Sequence, residues 1–449
     1  MKQEETISAI STAAGAGGIG IIRLSGRTAL EIGDKIFKCR NGRRLSVTED
    51  RKMSLGHVID GSARIIDEAM AVVMRAPHSY TCEDVVEFHC HGGLTALRRV
   101  LRRTLDAGAR LAQRGEFTKR AFLNGRLDLS QAQSVLDIIQ SKTDAALDLA
   151  ERRLAGANEF KFLRQEILTC VSHIDAVIDF PEEDLEGVEL ERIDQSLSKT
   201  IGRIDEMLAT ETSGRIMREG LQTAIIGKPN VGKSSLLNYL LKSDRAIVTD
   251  IPGTTRDSIE EFADIEGMPL RIIDTAGIRA SSDEVERIGI ERAREHAKRA
   301  ELILALIDGS KALTAEDEEI FSMIEGREAI ILLTKSDLPR VVSLDGKNFI
   351  SISIKSGDGL DRLKKLIVER AGLPSNKELN LVRDAREAEA LRRTKKHLVE
   401  ARNTIRMSIG IDFVSIDLRA ALEALGELTG ETVSDAIIDE IFSKFCIGK

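Results

Sequence analysis

The sequence predicts a multidomain α/β protein with an N-terminal α+β domain, an all-α domain in two sequence halves, and a doubly wound α/β domain inserted between those halves. Residues 1–118 mix alternating strand-like runs with two helices, whereas residues 216–375 alternate strand and helix. Residues 119–215 and 376–449 are almost wholly helical in pattern.

The two helical halves are expected to form one domain. Neither half makes a complete bundle by itself, so the simplest solution is that their apolar stripes pack against each other. The first half includes a continuous helical pattern over Leu129–Leu154, and the second includes Val382–Met407. The ends of a doubly wound domain lie close together, so residues 216–375 can be accommodated as an insertion.

Composition limits the class of protein. Hydrophobic residues make up 42% and charged residues 31% of the 449 positions, as in ordinary globular domains. The net charge of −8 argues against a general nucleic-acid coat, and 13 Phe, 2 Tyr and no Trp argue against a base-stacking platform. Five scattered cysteines, with no targeting segment and no apolar run of about 20 residues, lead us to expect a cytoplasmic protein.

Residues 227–235 read Gly-Lys-Pro-Asn-Val-Gly-Lys-Ser-Ser and fit a phosphate-binding loop. The apolar run Leu221–Ile226 precedes the loop and a helical pattern follows it, as this motif requires. Backbone N–H groups would surround phosphate oxygens, Lys233 would reach the β- and γ-phosphates, and Ser234 would bind Mg²⁺. The alternative is an ordinary glycine-rich turn between a strand and a helix.

Further motifs follow in the order found in Ras-like GTPases. Residues 253–257 (Gly-Thr-Thr-Arg-Asp) fit a switch loop whose Thr completes the Mg²⁺ shell. Residues 274–277 (Asp-Thr-Ala-Gly) fit a Mg²⁺-side Asp and a Gly that senses the γ-phosphate. The run therefore predicts a Ras-like, P-loop GTPase domain.

Two later segments predict recognition of guanine. Asp337 has two acceptor oxygens that suit the N1–H and N2–H₂ edge of guanine, and Ser353-Ile354-Lys355-Ser356 fits the last base-contacting loop. Thr334 stands where the usual pattern has Asn, so we expect base specificity to survive while the nucleotide affinity stays open.

One position departs from Ras-type enzymes. Ile278 replaces the Gln that orients the attacking water, and Ile cannot hydrogen-bond water. Glu286, in an acidic stretch with Asp283 and Glu284, could hold the water, although acids also favour a helix N-terminus. Arg256 is a candidate arginine finger that could equally pair with the neighbouring Asp.

A basic run and an apolar terminus complete the pattern. Residues 98–126 contain nine Lys or Arg, with Arg98 and Arg102 on one side of a predicted helix. This run either contacts phosphates or is a solvated amphipathic helix. Residues 442–449 include Phe442, Phe445 and Ile447, so we expect the end of the chain to be docked rather than frayed.

Over its whole length the sequence resembles the MnmE (TrmE) family of tRNA modification GTPases. The resemblance rests on residues 19–26, 80–87, 91–93, 115–126, 253–257 and 283–289, and most specifically on the terminal Cys-Ile-Gly-Lys at 446–449. It implies a homodimer formed through the N-terminal domain, and a folate site for 5-formyl-tetrahydrofolate formed by Arg23, Glu87, Arg126 and Lys449. Cys446 matches a cysteine that assists the modification chemistry.

The resemblance also implies a K⁺-activated GTPase, in which the cation replaces a finger Arg. Glu286 would act as general base or orient the water, Mg²⁺ would be bound by Ser234 and Thr255, and K⁺ by Asn230, Thr254 and the backbone of Thr249 and Ile251. The GTP site would comprise Asn230, Val231, Gly232, Lys233, Ser234, Ser235, Thr249, Asp250, Ile251, Pro252, Gly253, Thr254, Thr255, Asp274, Thr275, Ala276, Gly277, Lys335, Asp337, Ser353 and Lys355.

The implied function is modification of the wobble uridine of certain tRNAs at C5, with aminomethyl or carboxymethylaminomethyl groups. It would require an FAD-dependent partner resembling MnmG in a heterotetramer, a tetrahydrofolate one-carbon donor, and GTP hydrolysis that drives domain closure. A ribosome-assembly GTPase switch is the alternative, although residues 380–449 contain no Gly-x-x-Gly RNA clamp. A folate-sensing regulator is a third possibility.

Overall fold

The computed structural model describes residues 5–13, 15–156, 159–179, 186–243, 261–273, 294–344, 346–372, 381–407 and 410–449. Within them the chain forms an α+β domain, an all-α domain from two stretches of sequence, and an inserted α/β domain, which confirms the predicted fold class. Among these residues, no helix combines the length and apolar content that a bilayer span requires.

The N-terminal domain is built on a mainly antiparallel sheet. Its described elements are β1 (Ile7–Ile10), β2 (Ile19–Ser25), α1 (Ala29–Ile36), β3 (Phe37–Cys39), β4 (Ser54–Ile59), β5 (Ile65–Met74), β6 (Val85–His91), α2 (Leu94–Asp106) and β7 (Arg110–Leu111). The strand order is β3-β4-β5-β6-β2-β1-β7, and β1–β7 is the parallel pairing. Leu97 and Val100 of α2 share an apolar core with Ile22 and Phe88 of the sheet.

The first helical stretch contains α3 (Glu116–Leu123), α4 (Leu129–Gln140), α5 (Asp144–Leu154), α6 (Glu159–Asp179), α7 (Glu186–Leu208) and α8 (Glu211–Glu219). The predicted domain boundary after residue 118 lies within α3. The continuous helix predicted over Leu129–Leu154 is wrong, because α4 ends at Gln140. The hydroxyl of Thr143 accepts a hydrogen bond from the Ala146 N–H at 3.2 Å and so caps the start of α5.

The inserted domain is doubly wound. Its described elements are β8 (Leu221–Gly227), α9 (Lys233–Ser243), β9 (Glu261–Ile265), β10 (Met268–Ile272), β11 (Leu302–Asp308), α10 (Ala315–Ile324), β12 (Ala329–Thr334), β13 (Phe349–Ser351) and α11 (Leu360–Arg370). The order β13-β12-β11-β8-β10-β9 is parallel except for the antiparallel β9–β10 pair. Alternate residues of β11 enter two different apolar cores, with Leu304 packed on the side of α9 and α11 and Ile303 on the side of α10.

The second helical stretch completes the all-α domain, as predicted. It contains α12 (Ala385–Met407), α13 (Ile411–Thr429) and α14 (Asp435–Ser443). One core joins α6 and α7 to α12 and α13 through fully buried side chains that include Leu163, Leu197, Leu391 and Leu418. Burial of each such side chain contributes about 1.5–3 kcal/mol, so the two halves stabilise each other.

The chain enters and leaves the inserted domain at one place on the helical domain. The Val382 N–H, which follows the insertion, donates to the hydroxyl of Thr210, which precedes it, at 2.9 Å. A Cβ on Gly214 of α8 would lie 1.8 Å from the Val382 carbonyl oxygen, so only glycine allows this approach. Buried Arg383 then donates from Nε and a terminal nitrogen to the Asp137 carboxylate at 2.7 and 2.9 Å.

Replacing Gly214 with Ala should therefore destabilise the junction. The added methyl group would force α8 away from Val382, and we expect a loss of about 1–3 kcal/mol in the free energy of unfolding. Gly202→Ala is the matched control, because Gly202 is also helical but exposed and has no atom within 4 Å of its Cβ position. That variant should gain about 0.5–1 kcal/mol. Urea unfolding followed by circular dichroism measures both, and equal midpoints for the two variants would contradict the close approach.

Candidate functional site

The phosphate loop joins β8 to α9, as predicted. β8 ends at Gly227 and α9 begins at Lys233, which places residues 228–232 at the carboxyl end of a central strand. Gly232 has φ +110°, a backbone conformation that is strained for any residue with a side chain. Asn230 has φ +61°, which Asn tolerates better than most residues. The backbone therefore closes into a compact loop before the first turn of α9.

Lys233 lies over this loop. Its ammonium group donates to the carbonyl oxygens of Gly227 at 2.6 Å and Lys228 at 2.8 Å. Desolvation lowers the pKa of Lys233, because burial penalises the charged form. An anionic phosphate at this position would offset that penalty, so the environment favours an anion. Ser234 and Ser235 are exposed in the first turn of α9, and Val231 is buried beneath the loop.

Thr334 has a structural role that the sequence did not predict. The side chain is buried at the end of β12, and its hydroxyl lies 2.9 Å from the Val231 carbonyl oxygen and 3.2 Å from that of Ile307. The donor can therefore tie the phosphate loop to the segment that precedes Asp337. The hydroxyl of Thr334 thus links the two loops although the usual Asn is absent.

The predicted base-contacting residues meet beside the phosphate loop. The buried hydroxyl of Ser353 donates to Asp337 Oδ1 at 2.8 Å and orients that carboxylate. The Ile354 side chain approaches within 3.9 Å of the Cβ position of Gly232, which shows how close the two loops are. Lys355 is exposed at the same edge.

Lys335 is fixed by a carboxylate at the end of β11. It adopts φ +60°, and its ammonium group donates to Asp308 Oδ2 at 2.6 Å. Burial raises the pKa of Asp308, but hydrogen bonds from Lys335 and Ser310 outweigh that effect and lower it overall. The Lys335 stem is therefore held along the edge where a base would lie.

A second carboxylate braces the phosphate loop from α10. The ammonium group of Lys228 donates to Thr314 Oγ1 at 3.0 Å and also to Asp317 Oδ2. Asp317 is 1% exposed and accepts from the Thr314 N–H at 2.9 Å as part of a capping box. The Thr-x-x-Asp spacing was visible in the sequence, but nothing there showed that it faces Lys228.

Several predicted site residues lie outside the described part of the chain. They are the remaining predicted ligands of GTP, Mg²⁺ and K⁺, the candidate finger and the candidate base: Thr249, Asp250, Ile251, Pro252, Gly253, Thr254, Thr255, Arg256, Asp274, Thr275, Ala276, Gly277 and Glu286. Ile278 lies outside it as well.

In the N-terminal domain, two of the predicted folate residues are cross-strand partners. Arg23 of β2 lies directly opposite Glu87 of β6, and its Nε donates to Glu87 Oε1 at 2.7 Å. The Arg23 guanidinium also lies 5.6 Å from the centroid of the Tyr80 ring and 5.7 Å from that of Phe117. These two aromatic residues were not predicted as part of the site.

Arg126, which follows α3, also contacts Tyr80. Its guanidinium lies 4.8 Å from the Tyr80 ring centroid and donates to the Tyr80 carbonyl oxygen at 2.9 Å. It borders a groove of about 520 Å³ that is also lined by Tyr80, Cys82 and Asn124. Tyr80 therefore connects Arg126 to the Arg23–Glu87 pair.

The C-terminal segment is docked against this region, as predicted. Phe442 and Phe445 are buried, although Ile447 is 51% exposed, so the expected contribution of its side chain is wrong. Backbone hydrogen bonds hold the last residues instead, from the Gly115 N–H to the Cys446 carbonyl at 3.2 Å and from the Phe117 N–H to the Lys449 carbonyl at 3.2 Å.

Docking brings Lys449 to the predicted folate residues. Burial and the positive charge of Arg23 lower the pKa of Lys449, while Cys446 and Glu87 act in the opposite direction. The structure thus brings Lys449 near Arg23, Glu87 and Cys446, with two cations that repel each other and would be relieved by an anionic ligand. Together with Tyr80 and Arg126 we call these residues the candidate folate cleft.

The comparisons with known proteins match both ends of this architecture. A family model described as GTP-binding protein TrmE N-terminus matches residues 6–126, and one described as MnmE helical domain matches residues 129–446. The chain is similar in sequence to the G domain of the T. maritima FeoB iron transporter at 28% identity, covering 33% of this chain and 97% of that chain. The TM-score of 0.24 for that pair is too low to support a structural argument.

Relatives that match over the full length agree with one another. The chain is 46% identical over 462 residues to the tRNA modification GTPase MnmE of Geobacillus thermodenitrificans, covering all of both chains. It is 48% identical to the protein of that name from Heliobacterium modesticaldum, covering 99% of each. Together with the domain matches, this identity shows that the chain belongs to the MnmE family of tRNA modification GTPases.

Proposed function

We propose that this protein hydrolyses GTP and, with an FAD-dependent partner resembling MnmG, modifies the wobble uridine of certain tRNAs at C5. The observation that carries the proposal is the position of Lys449, which lies near Arg23, Glu87 and Cys446 in the candidate folate cleft. The proposal also rests on the names of the full-length relatives, which state both GTPase activity and tRNA modification.

The inserted domain supports GTP as the nucleotide. Lys233 lies at the phosphate loop, and Asp337 is oriented by Ser353 with its carboxylate available to the guanine edge. Mg²⁺ would be bound by Ser234 and Thr255, where it would neutralise charge on the phosphates. The short link between Thr334 and Val231 would keep the base and phosphate subsites at a constant separation.

Potassium is the proposed activator of hydrolysis. Asn230 is exposed on the phosphate loop, and its amide oxygen is the kind of neutral ligand that a monovalent cation accepts. Thr254 and the backbone of Thr249 and Ile251 would complete the site. A cation there would supply the positive charge that an arginine finger gives other GTPases, and Glu286 would orient the attacking water in place of the Gln missing at Ile278.

A reduced folate fits the N-terminal cleft. Glu87 can accept from the amino and ring N–H groups of a pterin, and Tyr80 and Phe117 offer aromatic faces. Arg23, Arg126 and Lys449 can pair with the carboxylates of the glutamate tail. The folate would supply a one-carbon unit, and Cys446 would present its thiol beside it. We also propose that the protein is a homodimer through the N-terminal domain.

Hydrolysis should depend on the identity of the monovalent cation. Replacing K⁺ with Na⁺ should lower kcat by about 10²-fold, because a smaller ion fits poorly among ligands set for K⁺. Glu286→Gln should lower kcat in K⁺ by about 10²–10⁴-fold, as expected for loss of a general base. Phosphate-release assays measure both, with Glu266→Gln as a control on the β9–β10 turn. Equal rates in the two salts would rule out the cation site.

Folate affinity should depend on Lys449. Lys449→Met should weaken binding of 5-formyl-tetrahydrofolate by about 10–100-fold, because a charge-assisted hydrogen bond of about 1.5–3 kcal/mol is lost. Lys444→Met is the control, since Lys444 pairs with Glu440 on α14. Because the pKa of Lys449 is lowered, wild-type affinity should fall as pH rises through that pKa, earlier than for an exposed lysine. Calorimetry that finds equal affinities for both variants would remove Lys449 from the site.

The whole function is tested by nucleoside analysis of tRNA. A strain that lacks the protein should lose the C5 modification of the wobble uridine, and the wild-type gene should restore it. Cys446→Ser should fail to restore it, whereas Cys82→Ser, a change of the same size in the groove beside Tyr80, should succeed. Intact tRNA together with a ribosomal subunit defect would instead support the ribosome-assembly alternative.

A further inference from the structure

A group of exposed cations lies on one edge of the N-terminal domain. We name it the basic patch, and its members come from α2, the end of α1 and the β4–β5 turn: Lys35, Arg64, Arg98, Arg99 and Arg102, with Arg103 at their centre. Within the described ranges of the chain, none of the first five has a side-chain hydrogen bond or ion pair to an acidic residue, although the backbone N–H of Arg64 donates to Asp60. Arg419 of the helical domain is, by contrast, an exposed arginine that is paired, with Asp175.

Arg103 ties the three elements of the basic patch together. Its Nε donates to the Ile59 carbonyl oxygen at 3.0 Å, next to the β4–β5 turn, and its terminal nitrogen lies 3.5 Å from the Lys35 carbonyl oxygen. The Asp60 N–H bonds the Arg64 carbonyl at 2.9 Å, which closes the turn that carries Arg64. The basic patch therefore depends on the packing of three elements and not only on the basic run in α2.

The α2 arginines are held on a rigid base. Leu97 and Val100 are buried against the sheet, and the hydroxyl of Thr104 donates to Ser8 Oγ at 2.8 Å. The opposite face of α2 therefore has a fixed direction, and Arg98 and Arg102 lie about 6 Å apart along it. Four acids lie near the patch. Glu31 and Asp34 lie on α1 beside Lys35, and Asp34 accepts the N–H of Ser46. Asp60 accepts the N–H groups of Ser62 and Arg64, and Asp106 lies at the last turn of α2.

We propose that the basic patch binds the phosphate backbone of the tRNA substrate, an inference that rests on the proposed function. Guanidinium groups match phosphate oxygens in a bidentate geometry, and closely spaced cations are the footprint of backbone contact. Because the overall charge is −8, contact with a polyanion requires a local cluster of cations of this kind. The patch contains no aromatic side chain, whereas the centres of protein interfaces are enriched in them, so we favour a polyanion over an acidic protein partner.

The test uses the full-length protein and a fluorescent unmodified tRNA, with affinity measured by anisotropy over a range of salt concentrations. The triple variant Arg98→Gln, Arg99→Gln, Arg102→Gln should bind at least 10-fold more weakly at low salt. The slope of log K against log salt should fall by about 2, since each phosphate contact contributes about 0.7–0.9. Substitution of the same three residues with Lys should retain the slope, because charge is kept.

A matched control removes three charges elsewhere. Arg392→Gln, Arg406→Gln, Arg419→Gln changes exposed, paired arginines of the helical domain and should leave tRNA affinity and its salt slope unchanged. GTP hydrolysis and the circular-dichroism urea-unfolding midpoint should be those of the wild type in both triple variants, which shows that the inserted domain and the substituted domains are folded. A patch variant with wild-type affinity and slope would overturn the proposal.

Two further outcomes would also overturn it. The first is competition by polyglutamate of equal charge that matches competition by tRNA, which would make the patch a general polyanion site. The second is a wild-type protein that does not bind tRNA. Neither result decides the proposed function, because nucleoside analysis tests the modification independently of this surface.

Discussion

The docking of the C-terminal segment onto the N-terminal domain is the interaction on which the candidate folate cleft depends. A Cβ on Gly448 would lie 2.2 Å from the Ile10 carbonyl oxygen, so the two ends of the sequence are in direct contact. The buried side chains of Phe442 and Phe445 stabilise the docked segment. The backbone of residues 114–117 forms hydrogen bonds with the backbone of residues 446–449. Without this docking, Arg23 and Glu87 would not have the ammonium group of Lys449 beside them.

Helix α4 connects this docking to the inserted domain. On one side, Leu129 and Leu136 pack with Phe442 and Phe445 in a single apolar core. Asp137, the next residue, binds Arg383 where the chain leaves the insertion. A rigid element thus touches both the exit of the nucleotide domain and the segment that carries Cys446. Such a contiguous path of packed residues is one physical means of coupling hydrolysis to modification.

The sequence predicted what depends on local pattern. The phosphate loop needs a strand, a turn and a helix in immediate succession, and its position followed from residues 221–242 alone. The pairing of Arg23 with Glu87 depends on the register of two strands far apart in sequence, so it entered through family resemblance. Thr143 was a visible capping residue, yet the helical periodicity across it hid the break between α4 and α5. The bond from Thr334 to Val231 could not be predicted, because it joins two loops.

The cysteines differ in burial, and therefore in the reactivity of their thiols. Cys39, Cys90 and Cys170 lie inside, and burial raises the pKa of each thiol, to about 12 for Cys90, so their thiolate populations are very small. Cys446 is exposed and Cys82 half-buried. A maleimide dye would therefore attach first at the cleft, on the native chain and without removal of other thiols. The protein thus carries its own attachment point for an optical reporter where the proposed chemistry occurs.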